Sequence, residues 1–224
     1  MRPRFVLASS SPRRRQLLSA AGYEFEVVTA PVEEFSHDWL SIRELTIWNA
    51  ARKATAAASI LATDAIVLAA DTLVAVDSKV LGKPDDLEDA ARMLRRLSGR
   101  AHEVWTAVRI VDPARGVSRS FHEMSRVHFR NLDDRGIRNY LAKIDPLDKA
   151  GAYAAQGHGQ DIIEKIDGSY TNVVGLPMEK TSRVLRAFGV TPVRGKLKAH
   201  SAVGALSRKQ TSSLFPSGSS KKTA

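Results

Sequence analysis

The sequence predicts a mixed α/β domain with a curved central sheet and helices on both of its faces. Three observations predict it. Short apolar, β-branched runs, chiefly residues 5–8 and 66–70, read as buried strands. Longer stretches with apolar residues at helical spacing, residues 41–61 and 86–97, read as helices. The two kinds of segment alternate along the chain, though not strictly.

Element by element, the strand over 5–8 stops at Ser9-Ser10-Ser11-Pro12, a turn. Pro12 suits the first turn of a helix, where a missing N–H costs nothing, so a helix follows over 13–20 and ends at Gly22. Residues 25–28 form a second strand. A long helix covers 41–61, with Ile42, Leu45, Ala50, Ala54 and Ile60 among many alanines. Residues 66–70 make a strand covered on both faces that ends at Asp71-Thr72; residues 73–76 are extended and lead into a turn at Asp77-Ser78. The helix over 86–97 shows Leu87, Ala90, Ala91 and Leu94 on one face and is closed by Gly99. Strands are predicted over 104–111 and 121–129, and a helix over 135–144. Residues 152–170 are Gly-punctuated, a loop with a short strand. Residues 171–174 read as another strand and 178–188 as a last helix after Pro177. There is no internal repeat. Residues 190–224 are rich in Ser, Lys, Gly and Pro and read as a disordered basic tail, leaving 1–189 as the folded domain.

The length of 224 residues allows one large domain or two small lobes around a shared cleft, and 43% hydrophobic residues suffice for a core. With no cysteine there is no disulfide, thiolate or zinc–cysteine chemistry, which is compatible with a reducing cytosol. The apolar N-terminal stretch is too short for a signal sequence and runs into Ser-Pro-Arg-Arg-Arg. No run approaches the ~18 apolar residues of a membrane span. The net charge of +10 suggests nucleic acid until it is located. Residues 190–224 hold seven Lys/Arg and no Asp or Glu; removing those seven from +10 leaves +3 for residues 1–189. A mildly basic body suits a small anionic substrate and limits nucleic acid to weak contact by the tail.

Four features can carry chemistry. Ser9-Ser10-Ser11-Pro12-Arg13-Arg14-Arg15 lies between a strand and a helix start, where free N–H groups, hydroxyls and guanidinium groups make a polyphosphate cradle. An N-cap serine with a solvated basic turn explains the same residues. Asp71, after the most apolar strand, can bind a metal or take a proton from water, or simply cap a turn with Thr72. Lys83, between Gly82 and Pro84, sits on a stiff loop that can aim a charge at phosphate. Lys53 in the long helix and the pair Glu33-Glu34 are weaker by pattern; most such residues face water. Gln156, in the Gly-rich stretch 156–159, offers an amide that can read a base edge, or belongs to a tight hairpin. His102, His122, His128 and His158 lack metal-type spacing and are taken as structural or solvated; Trp39, Trp48 and Trp105 are taken as packing residues.

These motifs, in this order, resemble the Maf family of nucleotide pyrophosphatases. The resemblance is carried by Leu7-Ala8-Ser9-Ser10-Ser11-Pro12-Arg13-Arg14, Lys53-Ala54, Ala70-Asp71-Thr72-Leu73-Val74, Leu81-Gly82-Lys83-Pro84 and Met93-Leu94-Arg95-Arg96-Leu97-Ser98-Gly99. It continues through Asp148-Lys149-Ala150-Gly151-Ala152-Tyr153, Gln156-Gly157, Ile166-Asp167-Gly168-Ser169-Tyr170 and Val174-Gly175-Leu176-Pro177, spanning residues 5–189. It implies two lobes around a substrate cleft, a fold shared with inosine triphosphate pyrophosphatases. It implies cytoplasmic hydrolysis of a nucleoside triphosphate to monophosphate and pyrophosphate, with a divalent cation, magnesium or manganese. A homodimer is also compatible with it. Asp71 matches the family's proton acceptor. Arg13, Thr72 and Gln156 match the positions that set substrate choice in the dTTP/UTP branch, and Ser9, Arg14, Glu34, Lys53 and Lys83 match other polar cleft positions. The 7-methyl-GTP branch carries Gln in place of Thr72 and Glu in place of Gln156. Two departures stand out: Ala154-Ala155 replaces Gly-Ile, and Asn49 replaces an apolar residue.

The expected mechanism has Asp71 and Glu34 holding the metal, with Asp71 activating water against the α-phosphorus. Arg13, Arg14, Lys53 and Lys83 offset phosphate charge. Three alternatives compete: a pyrophosphatase for 7-methyl-GTP or other modified nucleotides, a nucleic-acid-binding regulator of cell division, and a domain that binds nucleotide without hydrolysing it.

Overall fold

A computed structural model describes residues 2–33, 35, 39–61 and 65–193. Its centre is one seven-stranded mixed sheet, with strands β1 (Arg4–Leu7), β2 (Glu26–Val27), β3 (Ala65–Val76), β4 (Lys79–Leu81), β5 (Ala101–Asp112), β6 (Val117–Phe129) and β7 (Ile163–Asp167). The order is β2-β1-β3-β5-β6-β7, and β4 also pairs with β3. β2, β1 and β3 run parallel, and β3, β5, β6 and β7 alternate in direction.

One edge of β3 has two partners. β1 pairs with Ala65 to Leu68, and β4 pairs with Val74 to Val76. Among the described residues, no strand pairs that edge between them. The other edge is bonded to β5 from Val67 to Ala75 without a break. The expected strand end at Asp71 is therefore a gap in the pairing along one edge, within a continuous strand.

Helix α2 (Ile42–Ile60) covers one face of the sheet. Ser41 caps it in a capping box with Glu44, as the sequence pattern Ser-x-x-Glu favours. Ala54 and Ala57 meet Val6, Val67 and Ala69, small side chains that let the helix approach closely. The opposite face carries two apolar clusters. The first packs α1 (Pro12–Ala20) and α6 (Met178–Ala187) on Phe5, Leu7, Ile66, Leu68, Val108 and Ile110. The second packs α3 (Leu87–Leu97) and α4 (Asp134–Leu141) on Val74, Val76, Val104, Val127 and Phe129. Between them lies α5 (Tyr170–Val174).

α5 corrects the expectation of a strand over 171–174. Ser169 caps this helix by accepting from the Asn172 N–H, and the Asn172 side-chain amide anchors it by donating to the Val104 carbonyl and to Ser125 Oγ; together these override the β preference of Thr171, Val173 and Val174. The Asp77-Ser78 turn is as expected: both residues have positive φ, 52° and 59°, the geometry of a tight hairpin. Asn49 is also explained: its amide donates to the Phe35 carbonyl and accepts from the Phe35 N–H. Trp39 and Trp48 are exposed, 73% and 54%, not packed in the core; they lie against the ring of Phe35. Val190 is buried with the first cluster, and the Val193 N–H donates to the Gly22 carbonyl. The packed body thus continues past residue 189.

Candidate active site

The gap on β3 opens into a cleft of about 490 Å³. Its walls come from the turn after β1, the middle of β3, the loop after β4, the segment 148–153 and the end of α5. Ser9, Arg13, Arg14, Lys53, Asp71, Thr72 and Lys83, scattered through the sequence, all line it.

Neighbouring residues of a strand point to opposite faces, and this divides the site. Asp71 lies on the α2 face, 3% exposed, where its Oδ1 accepts from Lys53 Nζ at 2.6 Å. Lys53 stands one residue before Ala54, on the part of α2 that packs against β3. The second oxygen, Asp71 Oδ2, is buried and has no hydrogen-bond partner among the described residues. A carboxylate oxygen in that condition costs free energy unless a proton donor or a cation reaches it.

Thr72 lies on the other face, at the junction of the two apolar clusters. Its Oγ1 accepts from Arg14 Nη2 at 3.0 Å. Arg14 also donates through Nη1 to Ser9 Oγ at 3.1 Å and through Nε to the Gly175 carbonyl at 2.9 Å. Among the described residues, three acceptors therefore hold this guanidinium on the cleft wall. Pro12 starts α1 as predicted, which carries Arg13 and Arg14 into its first turn.

Arg13 reaches across the cleft to Asp148, 3.1 Å from Nη1 to Oδ2, and Asp148 also pairs with Lys149. Burial pushes the Asp148 carboxyl pKa up, but hydrogen bonds and charge from Lys149 and Arg13 outweigh it and leave the pKa lowered. Lys83 is exposed on its loop. The loop is tied down next door, where the Gly82 carbonyl accepts from the Gly151 N–H at 2.9 Å. Gly151 has φ +70°, and a Cβ there would sit 3.1 Å from Val74 Cγ1, so a side chain would strain the backbone and crowd Val74.

Two predicted residues stand apart. Gln156 is half-buried but does not line the cleft. Glu34 lies outside the described residues. Asp148, Lys149 and Tyr153 line the cleft although local pattern did not single them out. Their motif was visible, but nothing local marked an Asp-Lys pair in a loop as facing a cleft formed with α1. Among the described residues, no group of three or more His, Asp or Glu could hold a metal, and no helix is long and apolar enough to cross a membrane.

Comparison with known proteins bears on this arrangement. The dTTP/UTP pyrophosphatase of Pelotomaculum thermopropionicum is 47% identical over 184 residues, covering 82% of this chain and 96% of that protein. The dTTP/UTP pyrophosphatase of Bdellovibrio bacteriovorus is 45% identical over 192 residues, covering 84% of this chain and all of that protein, 100%. Among solved structures, the Staphylococcus aureus Ham1 protein matches at a TM-score of 0.45 and 17% identity, covering 83% of this chain and 97% of that one. A likeness at that level carries no functional argument. The sequence pattern of the Maf-like proteins matches residues 4–188, almost the whole packed body. The chain belongs to the family of Maf-like proteins.

Proposed function

We propose that this protein hydrolyses nucleoside triphosphates, dTTP and UTP among them, to the monophosphate and pyrophosphate. The observation that carries the reading is Asp71: a buried carboxylate on the wall of a cation-lined cleft, with Lys53 on one oxygen and no partner for the other among the described residues. Relatives at 45–47% identity, matched along nearly their whole length, bear the name dTTP/UTP pyrophosphatase.

In this mechanism Asp71 Oδ2 accepts a proton from water as the water oxygen attacks the α-phosphorus. The new P–O bond forms as the bond from that phosphorus to the α–β bridging oxygen breaks, and pyrophosphate leaves. Lys53 orients the carboxylate. Arg13, Arg14 and Lys83 offset the negative charge of the triphosphate, with Ser9 holding Arg14. Reactions of this kind depend on positioning and charge stabilisation more than on covalent help.

A divalent cation fits these residues. The unpartnered Asp71 Oδ2 is an oxygen donor of the right kind. Magnesium or manganese needs only one or two carboxylates when phosphate oxygens and water complete its shell, so a set smaller than three suffices. Asp71 would be one such ligand, and Glu34 is proposed as the second. When bound, the cation would offset phosphate charge and polarise phosphoryl oxygens.

Arg13, Thr72 and Gln156 are proposed to set substrate choice. For Gln156 this requires the base to extend past the cleft wall towards the loop after Tyr153. A cytoplasmic location, where free nucleotides are made, and a homodimer belong to the same proposal.

The test is pyrophosphate release from a panel of triphosphates, with and without magnesium or manganese. dTTP and UTP are expected to lead, and a preference for 7-methyl-GTP would overturn that choice. Asp71→Asn is expected to lower kcat about 10²- to 10⁴-fold, the usual worth of a proton acceptor, while circular dichroism stays unchanged. Near wild-type release by that variant would rule out the role of Asp71.

A further inference from the structure

Beneath the cleft runs a buried line of polar groups that separates the two apolar clusters. Thr72 on β3, Thr106 on β5, Asn172 on α5 and Ser125 on β6 compose it. Thr106, 0% exposed, plays no part in the mechanism above. Its Oγ1 lies 2.9 Å from Thr72 Oγ1 and 3.1 Å from the Asn172 carbonyl oxygen.

A hydroxyl has one proton to give and two lone pairs to receive with. The Asn172 carbonyl only accepts, so the Thr106 proton goes to it. Thr72 is then the donor in the Thr72–Thr106 pair. Arg14 only donates, so Thr72 Oγ1 accepts from it. The reverse arrangement, with Thr106 donating to Thr72, leaves the Thr72 proton without an acceptor among the described residues.

The far end of the line is equally determined. Asn172 Nδ2 donates to the Val104 carbonyl at 3.0 Å and to Ser125 Oγ at 2.9 Å. Ser125 Oγ donates to the Ser169 carbonyl and accepts from the Ser169 N–H. Asn172 is therefore held by β5 and β6 through its side chain, and its backbone carbonyl is a fixed acceptor for Thr106. Gly175, just past the same helix, supplies the carbonyl that receives Arg14 Nε.

We propose that Thr106 is a positioning residue for substrate binding: by receiving the Thr72 proton it makes Thr72 an acceptor that anchors Arg14. Thr72 then acts on substrate through the Arg14 guanidinium and does not donate to the substrate itself. The inference rests on reading the cleft as a triphosphate site.

The test compares Thr106→Val, which keeps the shape and removes the hydroxyl, with Thr106→Ser, which keeps the hydroxyl. KM and kcat for dTTP are measured together with calorimetric binding of inorganic tripolyphosphate, which needs no turnover. Thr106→Val is expected to raise KM and weaken tripolyphosphate binding about fivefold, the worth of one neutral hydrogen bond. Its kcat is expected to stay within about twofold, a change small beside the effect of losing a proton acceptor. Thr106→Ser is expected to restore both. Thr72→Val is expected to weaken tripolyphosphate binding too, and adding Thr106→Val to it should change nothing more. Tripolyphosphate binding as tight as wild type in Thr72→Val would overturn the proposal, even if Thr106→Val failed to fold. So would additive effects in the double variant. Absence of pyrophosphate release by the wild type would overturn the proposed activity instead, and tripolyphosphate binding would still decide the anchor.

Discussion

His102 shows how much a single buried group can govern. It is 2% exposed, enclosed by the rings of Phe129 and Tyr153, and its Nε2 lies 2.8 Å from Tyr153 Oη. Burial, helped by the nearby charge of His128, lowers its pKa from 6.5 to about 3. In the unfolded chain the imidazole takes a proton as the pH falls through 6.5; in the folded protein it stays neutral until about 3. Between those values the unfolded state binds the extra proton, so stability rises with pH and is lost on acidification. The contribution approaches about 1.4 kcal/mol per pH unit well inside the window. Melting temperatures from pH 7 to pH 4 are expected to fall less steeply for His102→Phe than for the wild type. Parallel slopes would mean that His102 does not stay neutral. Tyr153 lines the cleft, so acid that charges His102 would also disturb the wall next to Lys149. His102 was read from sequence only as structural, because spacing can reveal a metal ligand but not a dielectric.

The elements divide by where their information lies. α2 and α3 are legible because their caps and apolar faces are local: Ser41 with Glu44, and Asp86 accepting from the Asp89 N–H. β3 is longer than its local pattern suggests. Asp71 and Thr72 are polar and look like a strand end, yet the ladder from Val67 to Ala75 continues through them because β5 satisfies their backbone. α5 was read as a strand because Thr171, Val173 and Val174 are β-branched; its helix depends on Asn172 bonds to β5 and β6, which no short window contains. Asn172→Ala is accordingly expected to cost roughly 2–4 kcal/mol, since it strips partners from buried groups. Urea denaturation measures this, and a loss below about 1 kcal/mol, the range of ordinary surface changes, would show that α5 is held otherwise.

At the scale of the molecule, the cleft results from one sheet whose two neighbours on β3 leave a gap, with separate apolar clusters on either side of it. The polar line through Thr72, Thr106 and Asn172 follows the border of those clusters, and the cations gather at its open end. The C-terminal boundary is a property of the same packing. A chain ending at Val193 is expected to melt like the full chain and to keep its kcat/KM. A chain ending at Gly189 loses the burial of Val190, 5% exposed, and the Val193–Gly22 hydrogen bond. Burial of one valine is worth ~2 kcal/mol, which corresponds to about 4–8 °C in melting temperature for a body of this size. Calorimetric melts of both truncated chains test this, and equal melting temperatures would place Val190 outside the cooperative unit.

By itself the sequence determined the α/β class, most element positions, the family, and seven of the polar residues that meet in the cleft. These are written locally, as periodicity, caps and ordered motifs. Only the tertiary structure decided that Asp71 and Thr72 face opposite sides of one strand, that Arg13 meets Asp148 across the cleft, and that Gln156 stands off its wall. It also placed Thr106 between Thr72 and the Asn172 backbone carbonyl. The physical reason is the same in each case: side-chain direction, burial and hydrogen-bond partnership are set by groups distant in sequence, and they exist only once the sheet has brought those groups together.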